Sequence, residues 1–304
     1  MKRVNKGIGI AKKILNMLDS IYFGKYYYEA AIILRNSLLV SSVLFNCEAW
    51  YNITSAEMSL LETVDIMMLR GILKAPRSTP KEMLYLELGV MPLQHVIRKR
   101  RLGFLYYILQ QENESLLSKV FQSQLENPTP KDWITTVKKD LEEINVNIQF
   151  FQIKKMKKDE FSNLIKRKIE AYALKELENI KSKHSKVNMI KHRILTMQNY
   201  LKPNELNIKK EHSQLIFRLR CQVTNTKENM KNMYDDHTCH ACGQERENQI
   251  HILQCNILQN YNKQFNETRN IEYEEILSEN AENQLLIAKL FQTNRKILEK
   301  LKNG

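Results

Sequence analysis

Four residues in the last third of the chain carry the clearest chemistry. Cys239-His-Ala-Cys242 is followed, after eight residues, by His251-Ile-Leu-Gln-Cys255, so three thiols and an imidazole fall within seventeen residues. Zinc asks for a tetrahedron of thiolate sulfur and imidazole nitrogen, and two close pairs joined by a turn supply one. Cys239 and Cys242 suit a tight metal knuckle, with Gly243 just beyond to relax the backbone. His251 and Cys255 are four apart, so on a helix they point the same way. The competing reading is a scatter of unrelated cysteines and histidines, and it has to place three of the chain's five cysteines here by chance. His237 and His240 are alternates for the histidine position. A catalytic zinc keeps a coordination position open for water, whereas four protein ligands close the shell, so the expected cofactor is a structural Zn²⁺. A knuckle this small needs the metal in place of a core, and metal loss is expected to unfold only about residues 235–260.

Positive charge is the second feature. Of the net charge of +13, residues 151–220 hold nearly all, with 18 Lys/Arg against 7 Asp/Glu. A basic block between near-neutral flanks is the footprint of a polyanion such as nucleic acid. A solvated, Lys-rich helix surface is the other reading of the same numbers. The candidate contacts are Lys154, Lys155, Lys157 and Lys158, then Lys166, Arg167 and Lys168, then Lys183, His184, Lys186, Lys191 and Arg193. A separate run, Arg98, Lys99, Arg100 and Arg101, wraps around a helix, so some of it should face solvent or a phosphate backbone, and it also fits a nuclear address. Aromatics interleave with these cations and suit exposed bases, although core packing is the plainer role for them.

The elements that must carry these residues read as helices. Eight glycines and six prolines in 304 residues are few, and 43% of the chain is apolar, so an all-α fold with sizeable cores is expected. An odd cysteine count without a regular framework argues against a secreted disulfide scaffold and for a reducing, intracellular setting. No signal-peptide pattern opens the chain. The most apolar run, Glu29 to Trp50, carries Arg35, Asn36, Asn46 and Glu48, falls short of a membrane span and reads as a buried helix. Thr54 and Glu57 make a capping box ahead of a stripe of Leu60, Leu61, Val64, Met67 and Met68. Thr79 and Glu82, with Pro80 between them, read as a second box, and Gly89 as the end of that short helix. Asn127-Pro-Thr-Pro130 is the clearest linker. Beyond it Trp133, Val137 and Leu141 form a stripe on a helix ending near Asn145, and Leu164, Ile165, Ile169, Tyr172 and Ala173 form another. Residues 261–304 read as an acidic helix pair.

Taken together, Gly24-Lys-Tyr-Tyr, Asn46-Cys-Glu-Ala-Trp50, Leu84-Tyr-Leu-Glu-Leu-Gly89, Arg100-Arg-Leu-Gly-Phe-Leu105, Asp132-Trp133, His184-Ser-Lys186 and the Cys/His cluster follow one another in an order that resembles the C-terminal portion of non-LTR (LINE-type) retrotransposon reverse transcriptases. The resemblance covers about residues 5–260 and rests on order, each motif being weakly specific alone. It implies a thumb-like helical bundle over residues 1–126, a basic helical linker region over 127–234, a CCHC zinc knuckle over 235–260 and C-terminal helices over 261–304. It also implies RNA or DNA as partner and a polymerase core upstream.

The chain departs from a complete polymerase of that kind. Two-metal phosphoryl transfer needs paired carboxylates on a strand turn. The sole adjacent Asp pair, Asp235-Asp236, has its aromatic directly beside it as Tyr234, sits among polar residues and precedes the knuckle by three positions. It reads as a loop. No Gly-x-Ser-x-Gly occurs, Cys47 sits in an apolar run and reads as core, and Cys221 is ambiguous. No enzymatic activity of its own, no membrane and no small-molecule substrate are therefore expected. The reading is a binding segment for RNA or single-stranded DNA, with a zinc-stabilised helical protein-interaction module as the alternative.

Overall fold

The computed structural model describes residues 2–181, 183, 184, 187, 190, 192, 194–261 and 272–302. The expected cations Lys186, Lys191 and Arg193 lie outside the described residues. Those residues are built from α-helices and short 3₁₀ turns, with two isolated antiparallel bridges, Leu88 to Met197 and Thr238 to Arg246, as their only extended pairing. The all-α expectation holds. Among the described residues no helix is long and apolar enough to cross a membrane.

Helix α1 (Lys2–Ser20) buries Ala11, Ile14 and Leu18 against α4 (Ser55–Leu73). Between them, α2 (Tyr27–Leu34), a π-helical turn (Arg35–Val40) and α3 (Ser41–Val43) form one continuous helical stretch. The charge inside this apolar run has a structural cause: Arg35 is buried and donates from Nε and Nη2 to the Asp65 carboxylate of α4 at 2.7 and 2.6 Å. The run is not buried throughout, for Ile33, Leu38 and Phe45 are exposed. The capping box forms as read, Thr54 accepting from Glu57 N–H and the Glu57 carboxylate accepting from Thr54 N–H. Leu60, expected on the inner face, points outward.

The second expected box does not form. In α5 (Lys81–Leu88) Glu82 is itself buried, and the Thr79 hydroxyl is buried without a hydrogen-bond partner. Gly89 does end this helix in the left-handed region at φ 63°, with the Thr196 and Met197 backbone packed where a side chain would stand.

Helices α6 (Leu93–Leu109), α7 (Leu116–Glu126), α8 (Trp133–Glu143), α9 (Phe150–Lys155) and α10 (Lys158–Lys181) follow. Asp132 caps α8 by accepting from Thr135 N–H, and Trp133 donates Nε1–H to Glu48 O at 2.8 Å. Then come α11 (Lys210–Arg220), α12 (Gln249–Gln254), α13 (Asn256–Tyr261) and α14 (Ala281–Lys302).

Two hydrophobic clusters hold these elements, and they are not consecutive along the chain. One joins residues of 11–97 to residues of 177–298, while the other is drawn from 102–169. Helices α6 and α10 each contribute to both. A buried ionic centre clamps the first cluster. Glu87 of α5 is fully buried and accepts from Arg220 Nε and Nη2 at 3.0–3.1 Å and from the Tyr200 hydroxyl at 2.7 Å, with His192 Nε2 3.3 Å away. Burial alone would raise the Glu87 carboxyl, but Arg220 and His192 beside it hold it down at about 2.

Candidate metal centre and basic surface

The two Cys/His pairs converge. Cys239, Cys242, His251 and Cys255 place one donor atom each within 4.8 Å of one another, and Cys242 Sγ lies 3.4 Å from His251 Nε2. A tetrahedral site with metal–sulfur bonds of about 2.3 Å has donor–donor edges of about 3.7 Å, so this cluster is of the size that holds a metal ion. Local geometry explains the convergence. Gly243, at φ 63°, turns the chain so that its N–H reaches Cys239 O at 2.8 Å, and the Thr238–Arg246 bridge closes the hairpin behind. Asn248 caps α12 by accepting from His251 N–H at 2.8 Å, and Cys255 N–H bonds back to His251 O. The structure thus takes His251 as the histidine of the cluster, with His237 and His240 outside it.

Three sulfurs and one imidazole nitrogen are the donor set of a thiolate-rich metal site, although without a metal the two ends of the first pair differ in acidity. Burial pushes the Cys239 thiol up to about 11. At Cys242 the upward push of burial is outweighed by the Glu245 and Gln244 backbone N–H groups and by His251, which bring the thiol down to about 7. The other imidazole nitrogen, His251 Nδ1, lies 3.1 Å from a Glu245 carboxylate oxygen, the arrangement that orients a metal-ligating histidine through Nε2. Glu245 and Asn248 are not among the residues that ligand spacing singles out. The signal was present, since an Asn three residues before a helical His is an N-cap pattern.

The knuckle is not an isolated unit. Cys239, Ile252, Leu253, Cys255 and Leu258 belong to the larger hydrophobic cluster. Gln249 Nε2 donates to Leu219 O at the end of α11, Asn294 Nδ2 of α14 donates to Ile252 O, and Arg295 pairs with the buried Glu247. Asp236, in the loop leading in, accepts from the Thr238 N–H and hydroxyl, which with Lys227 nearby draws its carboxyl down to about 2. The Asp pair is therefore a loop feature that caps the entry to the knuckle.

The basic candidates divide sharply. Of the first run only Lys99 is exposed. Arg98 and Arg101 are buried on Asp140 of α8, at 3.1 and 2.6 Å, Arg98 also pairs with Glu143, and Arg101 donates to Trp50 O. Arg100 donates to Leu44 O at 3.0 Å. Arg98 and Arg101 therefore bind α6 to α8, a correction to their expected place on a nucleic-acid surface, because Asp140 and Glu143 meet them from the facing helix, while the half-buried Arg100 is held by the Leu44 carbonyl. In contrast Lys154, Lys155, Lys157, Lys158, Lys166, Arg167 and Lys168 are all exposed, and none forms an ion pair among the described residues. Lys183 and His184 are exposed further along, His184 standing 3.9 Å from Glu82. Most aromatics near this face are packed inward, as with Phe161, stacked on Tyr106 at 5.5 Å.

Comparison with protein-family models, curated proteins and solved structures matched nothing.

Proposed function

We propose that this chain is a nucleic-acid-binding segment that takes RNA or single-stranded DNA on the exposed cations of α9 and α10, and that Cys239, Cys242, His251 and Cys255 hold a structural zinc ion. The same reading makes it the C-terminal part of a LINE-type reverse transcriptase, serving an upstream polymerase core and carrying no polymerase site itself. The ordered motifs support this, and in the fold several of them are one another's packing partners. Trp133 bonds Glu48 O and Arg101 bonds Trp50 O.

The observation that carries the binding reading is the contrast among cations. Arg35, Arg98, Arg101 and Arg220 are each buried on a carboxylate, while the seven between Lys154 and Lys168 have none. Lys158 to Lys168 span about 15 Å of helix, the reach of roughly four to six phosphates once the α9 lysines are included. For a single strand that predicts a salt slope of about −3 to −4, so binding to a labelled oligonucleotide should fall roughly 50- to 300-fold between 50 and 200 mM salt. A flat salt response, or no binding at low salt, refutes the reading. Exposed Leu116, Val120 and Tyr107 favour the second reading, a zinc-stabilised protein-interaction module, whose association would be insensitive to salt. Zinc is tested by metal content in the native chain and in Cys242→Ser. One equivalent lost in the variant supports the site, and none in the native chain removes it.

A further inference from the structure

The segment 145–158 holds three features side by side that the electrostatic account does not use. Phe151 is 60% exposed on α9, an exposure it shares with Phe45, whereas Phe121, Phe161, Phe217 and Phe291 are packed almost completely; of the two exposed rings Phe151 is the one set among lysines. The ammonium of Lys155 stands 5.7 Å from its ring centroid, and Lys154, Lys157 and Lys158 follow within seven residues. Directly beside this, a cavity of about 710 Å³ is lined by Asn145, Asn147 and Gln149, by the charged Lys138 and Glu142, and by Phe150 with aliphatic side chains. Phe150 turns toward Phe121, 5.6 Å between ring centroids, and lines the cavity, while Phe151, one helical position on, faces out. The volume falls within the ~300–1,000 Å³ usual for small-molecule and cofactor pockets.

We infer that Phe151 is a stacking platform for an unpaired base, with Lys154, Lys155 and Lys158 on the flanking phosphates and the neighbouring amide-lined cavity taking the next base. This rests on the nucleic-acid reading above and narrows its ligand to unpaired nucleotides, whether of RNA or DNA. An exposed ring gains most against a base face, which a duplex conceals, and the side-chain amides of Asn145, Asn147 and Gln149 carry the donor–acceptor pairs that base edges require. A surface that gripped only duplex would need the lysines and no aromatic.

The test is anisotropy titration of the full chain with labelled single-stranded RNA, single-stranded DNA and blunt duplex of matched length, for the native chain, Phe151→Ala and Phe151→Trp. Phe151→Ala should weaken single-strand binding roughly 5- to 150-fold, the effect of losing one stacked base. It should leave the salt slope and duplex binding unchanged, and Phe151→Trp should restore affinity. The ratio of RNA to DNA affinity separates the two sources. Native-level single-strand binding by Phe151→Ala, or duplex bound as tightly as single strand, overturns this inference and leaves the basic surface standing. Absence of binding to all three ligands overturns both.

Discussion

Substituting Arg220 by methionine should unsettle the fold more than any exposed change, and its pH dependence is specific. Glu87 is 0% exposed, and Arg220 supplies two of its donors. Holding that carboxyl near 2 instead of its ordinary 4.5 corresponds to roughly 3 kcal/mol in favour of the charged form, at about 1.36 kcal/mol per unit. Because the folded value is the depressed one, that contribution is complete above about pH 4.5 and disappears as pH falls toward 2. Arg220→Met leaves a buried carboxylate with only Tyr200 and His192, and it also removes one donor each from Ile276 O and Ser278 O, which keep the Gln284 amide. Removing one partner of a buried pair costs about 3–5 kcal/mol. Urea unfolding followed by helical circular dichroism at pH 7.5 should show a loss of that size. The deficit relative to the native chain should shrink by pH 5, since an unpaired buried carboxyl gains stability by taking up a proton. The double variant Glu87→Leu/Arg220→Met should recover part of the loss, because no charge is then stranded. A deficit below about 1 kcal/mol at pH 7.5, or one that grows on acidification, would refute the argument.

Two further outcomes follow from the packing. Cys242→Ser, or chelation of the proposed zinc, should remove hydrogen-exchange protection from residues 236–261 and also from the α14 face around Asn294, since Asn294 and Arg295 anchor to the knuckle. Loss confined to 236–261 would show instead that the knuckle is an independent unit. Gly89→Ala should destabilise by more than the ~1 kcal/mol usual for a left-handed position, because the added carbon meets the Thr196 and Met197 backbone, and a melting temperature within a degree of the native one would contradict that contact.

Most local signals in this chain were legible, the Thr79–Glu82 box excepted, and distant ones were not. The Thr54–Glu57 box and the Cys239–Cys242 and His251–Cys255 pairs are set by spacings of three and four, which a single helix turn or hairpin decides. The docking of the knuckle depends on Gln249, Asn294 and Arg295 finding partners up to 48 residues away, and no spacing rule announces that. The Arg98–Arg101 run shows where reading charge as surface fails. Four consecutive helical residues point about 100° apart, so one or two must face inward whatever their type. Which ones do so is decided by Asp140, and Asp140 sits at a core-facing position of α8, in phase with Trp133, Val137 and Leu141. Asp65 sits likewise in phase with Leu61, Val64 and Met68, and Glu87 within the apolar run Leu84–Leu88. A carboxylate on the inner phase of an amphipathic helix cannot remain unpaired, because an isolated buried charge costs more than the fold can supply. The helical phase of each of the three carboxylates therefore requires that a cation from elsewhere in the chain be buried with it. That requirement removes Arg35, Arg98, Arg101 and Arg220 from the cations open to a ligand and leaves that role, in the binding reading proposed above, to exposed cations such as those of α9 and α10.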